Sequence, residues 1–242
     1  MSFSIRVEDA SMMFNMSSEK IDSIKEYFVR VIKHKVSFEA FWALKHVSFE
    51  LQRGESLGVI GLNGSGKSTL LKLVSGILKP TQGSVQTVGS IAPLIELGAG
   101  FDPDLSASEN IYLNGAVLGY SRAYMKERYD EILRFAELEE FTNIAIKNFS
   151  SGMTARLGFA IATMNIPDVL IVDEILSVGD YKFQEKSFAR MERMIQSGAT
   201  LMFVSHSIEQ VSKMCSKALW LDKGEVRMLG DAKTVCEAYS RQ

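Results

Sequence analysis

An α/β fold with a parallel sheet is the architecture this sequence predicts, on three observations. Leu57-Gly58-Val59-Ile60, Val169-Leu170-Ile171-Val172 and Leu201-Met202-Phe203-Val204 are short apolar runs bounded by polar residues or glycine, as strands buried on both faces tend to be. Stretches of helical periodicity separate them, the alternation expected of parallel strands joined by helices. Trp220 to Val226 reads as a closing hairpin, with Gly224 supplying the positive φ of its turn.

A chain of 242 residues with 46% hydrophobic content is long and apolar enough to bury a real interior. Lys and Arg total 27 against 29 Asp and Glu, a net charge of −2, so no global field favours nucleic acid. The two cysteines, Cys215 and Cys236, lack metal-ligand spacing and read as free thiols in a reducing compartment. The first thirty residues lack the continuous apolar core and small-residue cleavage site of a leader, and no apolar run approaches the roughly 20 residues of a membrane helix, so the chain is expected to be cytosolic.

From about Pro103 to Met164 the pattern is almost wholly helical. Ser106-Ala107-Ser108-Glu109 opens it with capping-box spacing. One domain over residues 1–242 is therefore expected, with a core of 1–102 and 165–242 and a helical insertion at 103–164.

Gly61-Leu62-Asn63-Gly64-Ser65-Gly66-Lys67-Ser68 fits G-x-x-x-x-G-K-[ST], directly after an apolar strand and before the helical run that Thr69 begins. Glycines let the backbone curl so that successive N–H groups face phosphates at a helix N-terminus, where the dipole favours anions. Lys67 adds a point charge, expected to face solvent when no ligand is bound. Ser68 can place a hydroxyl on Mg²⁺, a hard cation that prefers oxygen.

The apolar strand 169–172 ends in Asp173-Glu174. Asp173 suits a Mg²⁺ shell, whereas Glu174, on the opposite side if strand geometry persists, can polarise an attacking water. Ser205-His206 ends the later strand, and parallel sheets bind ligands beyond the carboxyl ends of their strands.

Phe149-Ser150-Ser151-Gly152-Met153-Thr154-Ala155-Arg156 resembles the Leu-Ser-Gly-Gly-Gln signature of ABC ATPases, with Ser151 in place of a glycine and Met153 in place of the glutamine. The resemblance spans essentially the whole chain. It implies a RecA-like P-loop core with an N-terminal antiparallel β part and an inserted helical subdomain. It further implies ATP and Mg²⁺ as cofactors and a head-to-tail homodimer, in which Ser150 and Gly152 of one subunit close over the phosphate loop of the other. Glu174 then matches the general base, His206 the switch histidine at the γ-phosphate, and Ser177-Val178-Gly179-Asp180 the dimer-contact loop. Gly61, Asn63, Gly64, Ser65, Gly66, Lys67, Ser68 and Thr69 match the nucleotide contacts. Phe14 stands where the family carries an aromatic stacked on adenine, with Trp42 as the alternative. Glu96 lies nearest the position of a glutamine that, in other members, touches Mg²⁺ and the membrane subunit.

Phe41-Trp42-Ala43-Leu44, Glu96-Leu97-Gly98-Ala99-Gly100-Phe101 and Ser150-Ser151-Gly152-Met153 together resemble the subfamily that exports bacterial O-antigen, capsule or teichoic acid. That resemblance implies an integral membrane partner, a lipid-linked polysaccharide as cargo, and a peripheral position on the cytoplasmic face of the inner membrane. A drug-efflux or importer ATPase is the alternative among transporters. A soluble ABC protein on ribosomes or DNA fits less well, since the chain has one phosphate loop, no long heptad tract and no basic excess. A small-molecule kinase would leave the signature region unexplained. Between residues 17 and 40, Ile21, Ile24, Phe28, Val31 and Ile32 recur at helical spacing. The expected helix, with Lys33 and Lys35, is read as standing at the mouth of the membrane partner, where basic residues favour a pyrophosphate.

Overall fold

The structure, a computed structural model, describes residues 3–17, 38–95, 97–173, 180–205 and 207–241. Two long strands, β1 (Phe3–Ser17) and β2 (Phe38–Gln52), form an antiparallel hairpin, and β4 (Gln82–Thr87) joins β1 from the other side. The ladder is broken by register shifts on either side of Ala10. Asp9 and His46 adopt left-handed backbone there, with φ of 48° and 50°, as bulged strands require of an extra residue. Ser17 still pairs with Phe38 at the far end. The expected helix over 17–40 is therefore corrected at both ends. Ser17 and residues 38–40 are strand residues whose backbone groups are engaged in the ladder, and residues 18–37, with Lys33 and Lys35, lie outside the described residues.

The second sheet runs β5 (Ile91–Leu94), β6 (Val169–Val172), β7 (Thr200–Val204), β3 (Ser56–Ile60), β8 (Lys217–Asp222) and β9 (Glu225–Asp231). Its strands are parallel except β9, which returns antiparallel to β8. The turn between them places both Lys223 and Gly224 at positive φ, 49° and 84°, the two-residue hairpin that matches strand twist. Alternate residues face opposite layers. Leu170, Val172, Leu201 and Phe203 pack with the helices, whereas Val169, Ile171, Met202 and Val204 pack toward the three-stranded sheet and α1 (Lys67–Val74). Apolar cover on both faces explains why these strands read as continuous apolar runs.

Between β5 and β6 the chain forms α2 (Ala107–Val117), α3 (Arg122–Ala136) and α4 (Ser151–Ala162). Ser106 caps α2 with a full capping box, its hydroxyl accepting from Glu109 N–H while Glu109 reaches back to Ser106 N–H. After β6 come α5 (Tyr181–Gln196), α6 (Ile208–Met214) and, at the end, α7 (Ala232–Ser240). Cys215 and Cys236 are both buried free thiols. Burial pushes the Cys215 thiol up to about 12, away from the thiolate that would make it reactive.

Candidate functional site

The carboxyl ends of β3, β6 and β7 meet at one edge of the sheet, as parallel pairing dictates: Val59 lies beside Val204, and Val172 beside Phe203. The residues that follow these strands must therefore converge. Gly61 to Gly66 turn from β3 into α1, and Gly66, at φ 105°, is the helix N-cap. A Cβ at Gly66 would stand 2.5 Å from the Ala43 carbonyl oxygen, so only glycine fits both that backbone and that approach.

A cleft of about 470 Å³ opens over this helix start. Asn63, Gly64, Gly66, Lys67, Ser68 and Thr69 line one side, Asp173 and Val204 another, and Phe41 and Ala43 of β2 close it. Gly61 and Ser65 are off the lining and hold the loop from behind. Ser65 is buried, with its Oγ lacking a hydrogen-bond partner among the described residues, and its backbone carbonyl accepts from Gly224 N–H.

Lys67 is not turned to solvent as the sequence suggested. It is 7% exposed, and its Nζ donates to the carbonyls of Gly61 at 2.7 Å and Leu62 at 2.9 Å. These loop carbonyls are close enough to accept charge-assisted hydrogen bonds, so they capture the ammonium. Phe14 is not among the cleft-lining residues. Phe41, its ladder partner, takes that place, and Trp42 lines a separate small cavity with Ser11, Lys45, His46 and Gln82. Strand parity carries the missed signal: residues 41 and 43 share a face, and residue 42 points away.

Ser150, Gly152 and Asp180 do not line this cleft. Ser150 caps α4, its hydroxyl accepting from Met153 N–H, which satisfies one of the backbone donors that a helix start leaves without an intrahelical partner. Asp180 caps α5 through Phe183 N–H and pairs with Arg156. The Phe183 N–H, with Arg156 beside it, holds the Asp180 carboxyl below the usual range. Glu174, with the contact loop through Gly179, and also Glu96 and His206, lie outside the described residues.

The arrangement suits a phosphate chain and a hard cation. Backbone donors, a lysine and a helix start face one cleft, while the Ser68 hydroxyl and the Asp173 carboxylate supply oxygen on the same cleft.

Residues 44–177 match the profile of the ABC transporter family. The chain belongs to that family. This ABC ATPase is 42% identical over 201 residues to the O-antigen export system ATP-binding protein of Klebsiella pneumoniae, covering 83% of this chain and 82% of that protein. It is 40% identical over 239 residues to the teichoic acids export ATP-binding protein of Bacillus cereus, covering 99% of this chain but only 43% of that protein. Among solved structures, an ATP-binding cassette dimer in a post-hydrolysis state with ADP and Pi superposes with a TM-score of 0.75 at 24% identity, over 94% of this chain and 98% of that one. That likeness shows the same ABC cassette fold. Among the described residues no helix is long and apolar enough to cross a membrane.

Proposed function

We propose that this ABC ATPase is the ATP-hydrolysing subunit of an exporter of lipid-linked surface polysaccharide, working as a homodimer at the cytoplasmic face of the membrane. One observation carries the dimer: the phosphate loop, Asp173 and Phe41 line the cleft over Lys67, whereas Ser150 and Gly152 of the same chain do not. A second copy, head to tail, supplies Ser150 and Gly152 to that cleft. Asn63, Gly64, Gly66, Lys67 and Thr69 hold the phosphates, Gly61 and Ser65 shape the loop behind them, and Phe41 stacks on the base. Ser68 and Asp173 hold Mg²⁺, which when bound neutralises phosphate charge. Glu174 takes the proton of the attacking water, His206 senses the γ-phosphate, and Asp180 anchors the dimer-contact loop. Residues 103–164 act as the helical subdomain on the core of 1–102 and 165–242.

A membrane partner has a natural seat. Ile95, Leu97 and Gly98 line an apolar groove with Val117 at the end of α2, Leu118 just after it, and Ile166. Ile77, Val117, Leu118 and Ile166 around it are 54%, 69%, 41% and 58% exposed, a cluster of apolar side chains that favours a protein contact. Gly158 of α4 packs on this loop backbone to backbone, since a Cβ there would lie 2.6 Å from Gly98 N. No side chain cushions the contact, so motion of the groove reaches the helix that Ser150 caps.

The cargo reading is supported by the names of the relatives. Its test is to co-purify the chain with its membrane subunit and identify a bound lipid-linked glycan by mass spectrometry; a complex that carries a drug or nutrient instead overturns it. The dimer is tested with mixed dimers, one subunit Ser150→Arg and the other Lys67→Ala. Both defects should fall in one composite site and leave the other turning over. Complete inactivity would show that the residues do not meet.

A further inference from the structure

We propose that Glu137 is a positioning residue for ATP hydrolysis, whose carboxylate ties the helix bearing Ser150 to the start of α5; the role rests on the composite-site reading above. Glu137 is the C-cap of α3 and sits at φ 59°, ψ 46°. That left-handed position is one glycine usually fills, because a side chain there is strained. Its N–H closes the helix on Leu133 O, a bond that glycine would make equally well. What glycine could not supply is the carboxylate.

The carboxylate stands between two cations from two other helices. Its Oε2 accepts from Arg156 of α4 at 3.3 Å, and its Oε1 from Lys186 of α5 at 3.3 Å. Arg156 spans onward to Asp180 at 2.5 Å and lies 5.0 Å from the Phe183 ring centroid. Lys186 Nζ also donates to Phe135 O at 2.9 Å, at the end of α3. Four charged groups thus join the end of α3, the middle of α4 and the first turns of α5.

An isolated exposed ion pair would do little. Here Arg156 is 18% exposed and its charge is divided between two carboxylates. Asp180 is the residue at which the chain leaves the contact loop, and Ser150 caps α4 six residues, about one and two-thirds turns, before Arg156. With Glu137 in place, the Arg156 guanidinium is anchored on both sides, so the signature end of α4 and the end of the contact loop keep a fixed spacing. Without it, Arg156 follows Asp180 alone. Ligand binding to the phosphate loop, whose cleft contains none of these four residues, is left untouched. The defect appears only where α4 must be placed on a second subunit.

The test uses the full chain with Glu137→Gly, which relieves the strained backbone, and Glu137→Gln, which keeps length but removes charge. Each is measured for melting temperature, affinity for a fluorescent ATP analogue, and ATPase kcat and KM across protein concentration. Both variants should lose about tenfold to a hundredfold in kcat, the cost of a small misplacement of reacting groups, with KM and analogue affinity within about twofold. Glu137→Gly should melt at or above the wild type. Wild-type kcat in either variant overturns the role, as does a kcat loss matched by lost binding, or one confined to a variant that melts early. If the wild type hydrolyses ATP at its full rate while size exclusion with MgATP shows only a monomer, the composite site itself fails and Glu137's role falls with it. If wild-type hydrolysis depends on concentration and the variants keep full kcat, only the role falls.

Discussion

Phe41 stands opposite Phe14 in the ladder of the β1–β2 hairpin, yet only Phe41 borders the cleft above Lys67. Base stacking on an aromatic ring contributes about 1–3 kcal/mol. Phe41→Ala should therefore weaken ATP binding by about that amount, whereas Phe14→Ala should leave it nearly unchanged. Inorganic triphosphate, which has no base, should bind both variants like the wild type. Equal losses for ATP and triphosphate would remove Phe41 from the base platform.

Lys67→Ala should have two effects. ATP affinity falls because a charge facing the phosphates is gone. The ligand-free protein also melts earlier, because the Gly61 and Leu62 carbonyls lose a charged donor, worth about 1–3 kcal/mol. Scanning calorimetry without nucleotide checks the second effect, and an unchanged melting temperature would show that the loop does not depend on its lysine.

Glu174→Gln should retain ATP binding and slow turnover roughly a hundredfold or more, as loss of a positioned base does. Trapped with MgATP, the variant should elute from size exclusion as a dimer. A nucleotide-bound monomer would contradict both the base and the shared site.

Val117→Glu or Ile166→Glu places a carboxylate in the exposed apolar cluster and should abolish co-purification with a membrane subunit. Both residues are more than half exposed, so melting temperature and ATP affinity should stay near the wild type. Retained assembly would place the partner elsewhere.

Much of the site was legible because its chemistry is local. The phosphate loop, the carboxylate after β6 and the cap at Ser150 each follow from adjacent residues, and the apolar strand runs follow from burial on two faces. The N-terminal hairpin was harder to read. Its bulges at Asp9 and His46 break the period of two, and helical spacing after Ser17 obscured the strand that resumes at Phe38. The choice of Phe41 over Phe14 depends on which strand lies against the phosphate loop, and it is β2, whose Ala43 carbonyl meets Gly66, a tertiary contact that no local pattern contains. Lys67 was misplaced because a loop's own carbonyls compete with solvent only once the loop has closed. Glu137 left no signal at all, since a glutamate after a helix looks ordinary until its backbone angle is known.

The pairing of Ser17 with Phe38 has a consequence for how such a chain can diversify. The described strands end at Ser17 and begin again at Phe38, an adjacent pair at the end of the ladder. Closing a longer or shorter loop on a fixed base changes the entropy only slowly with length, about 0.6 kcal/mol per doubling. The tip is therefore a socket. Segments of different length and character can be plugged in, by evolution or by grafting from a relative, while the nucleotide machinery beneath is inherited unaltered.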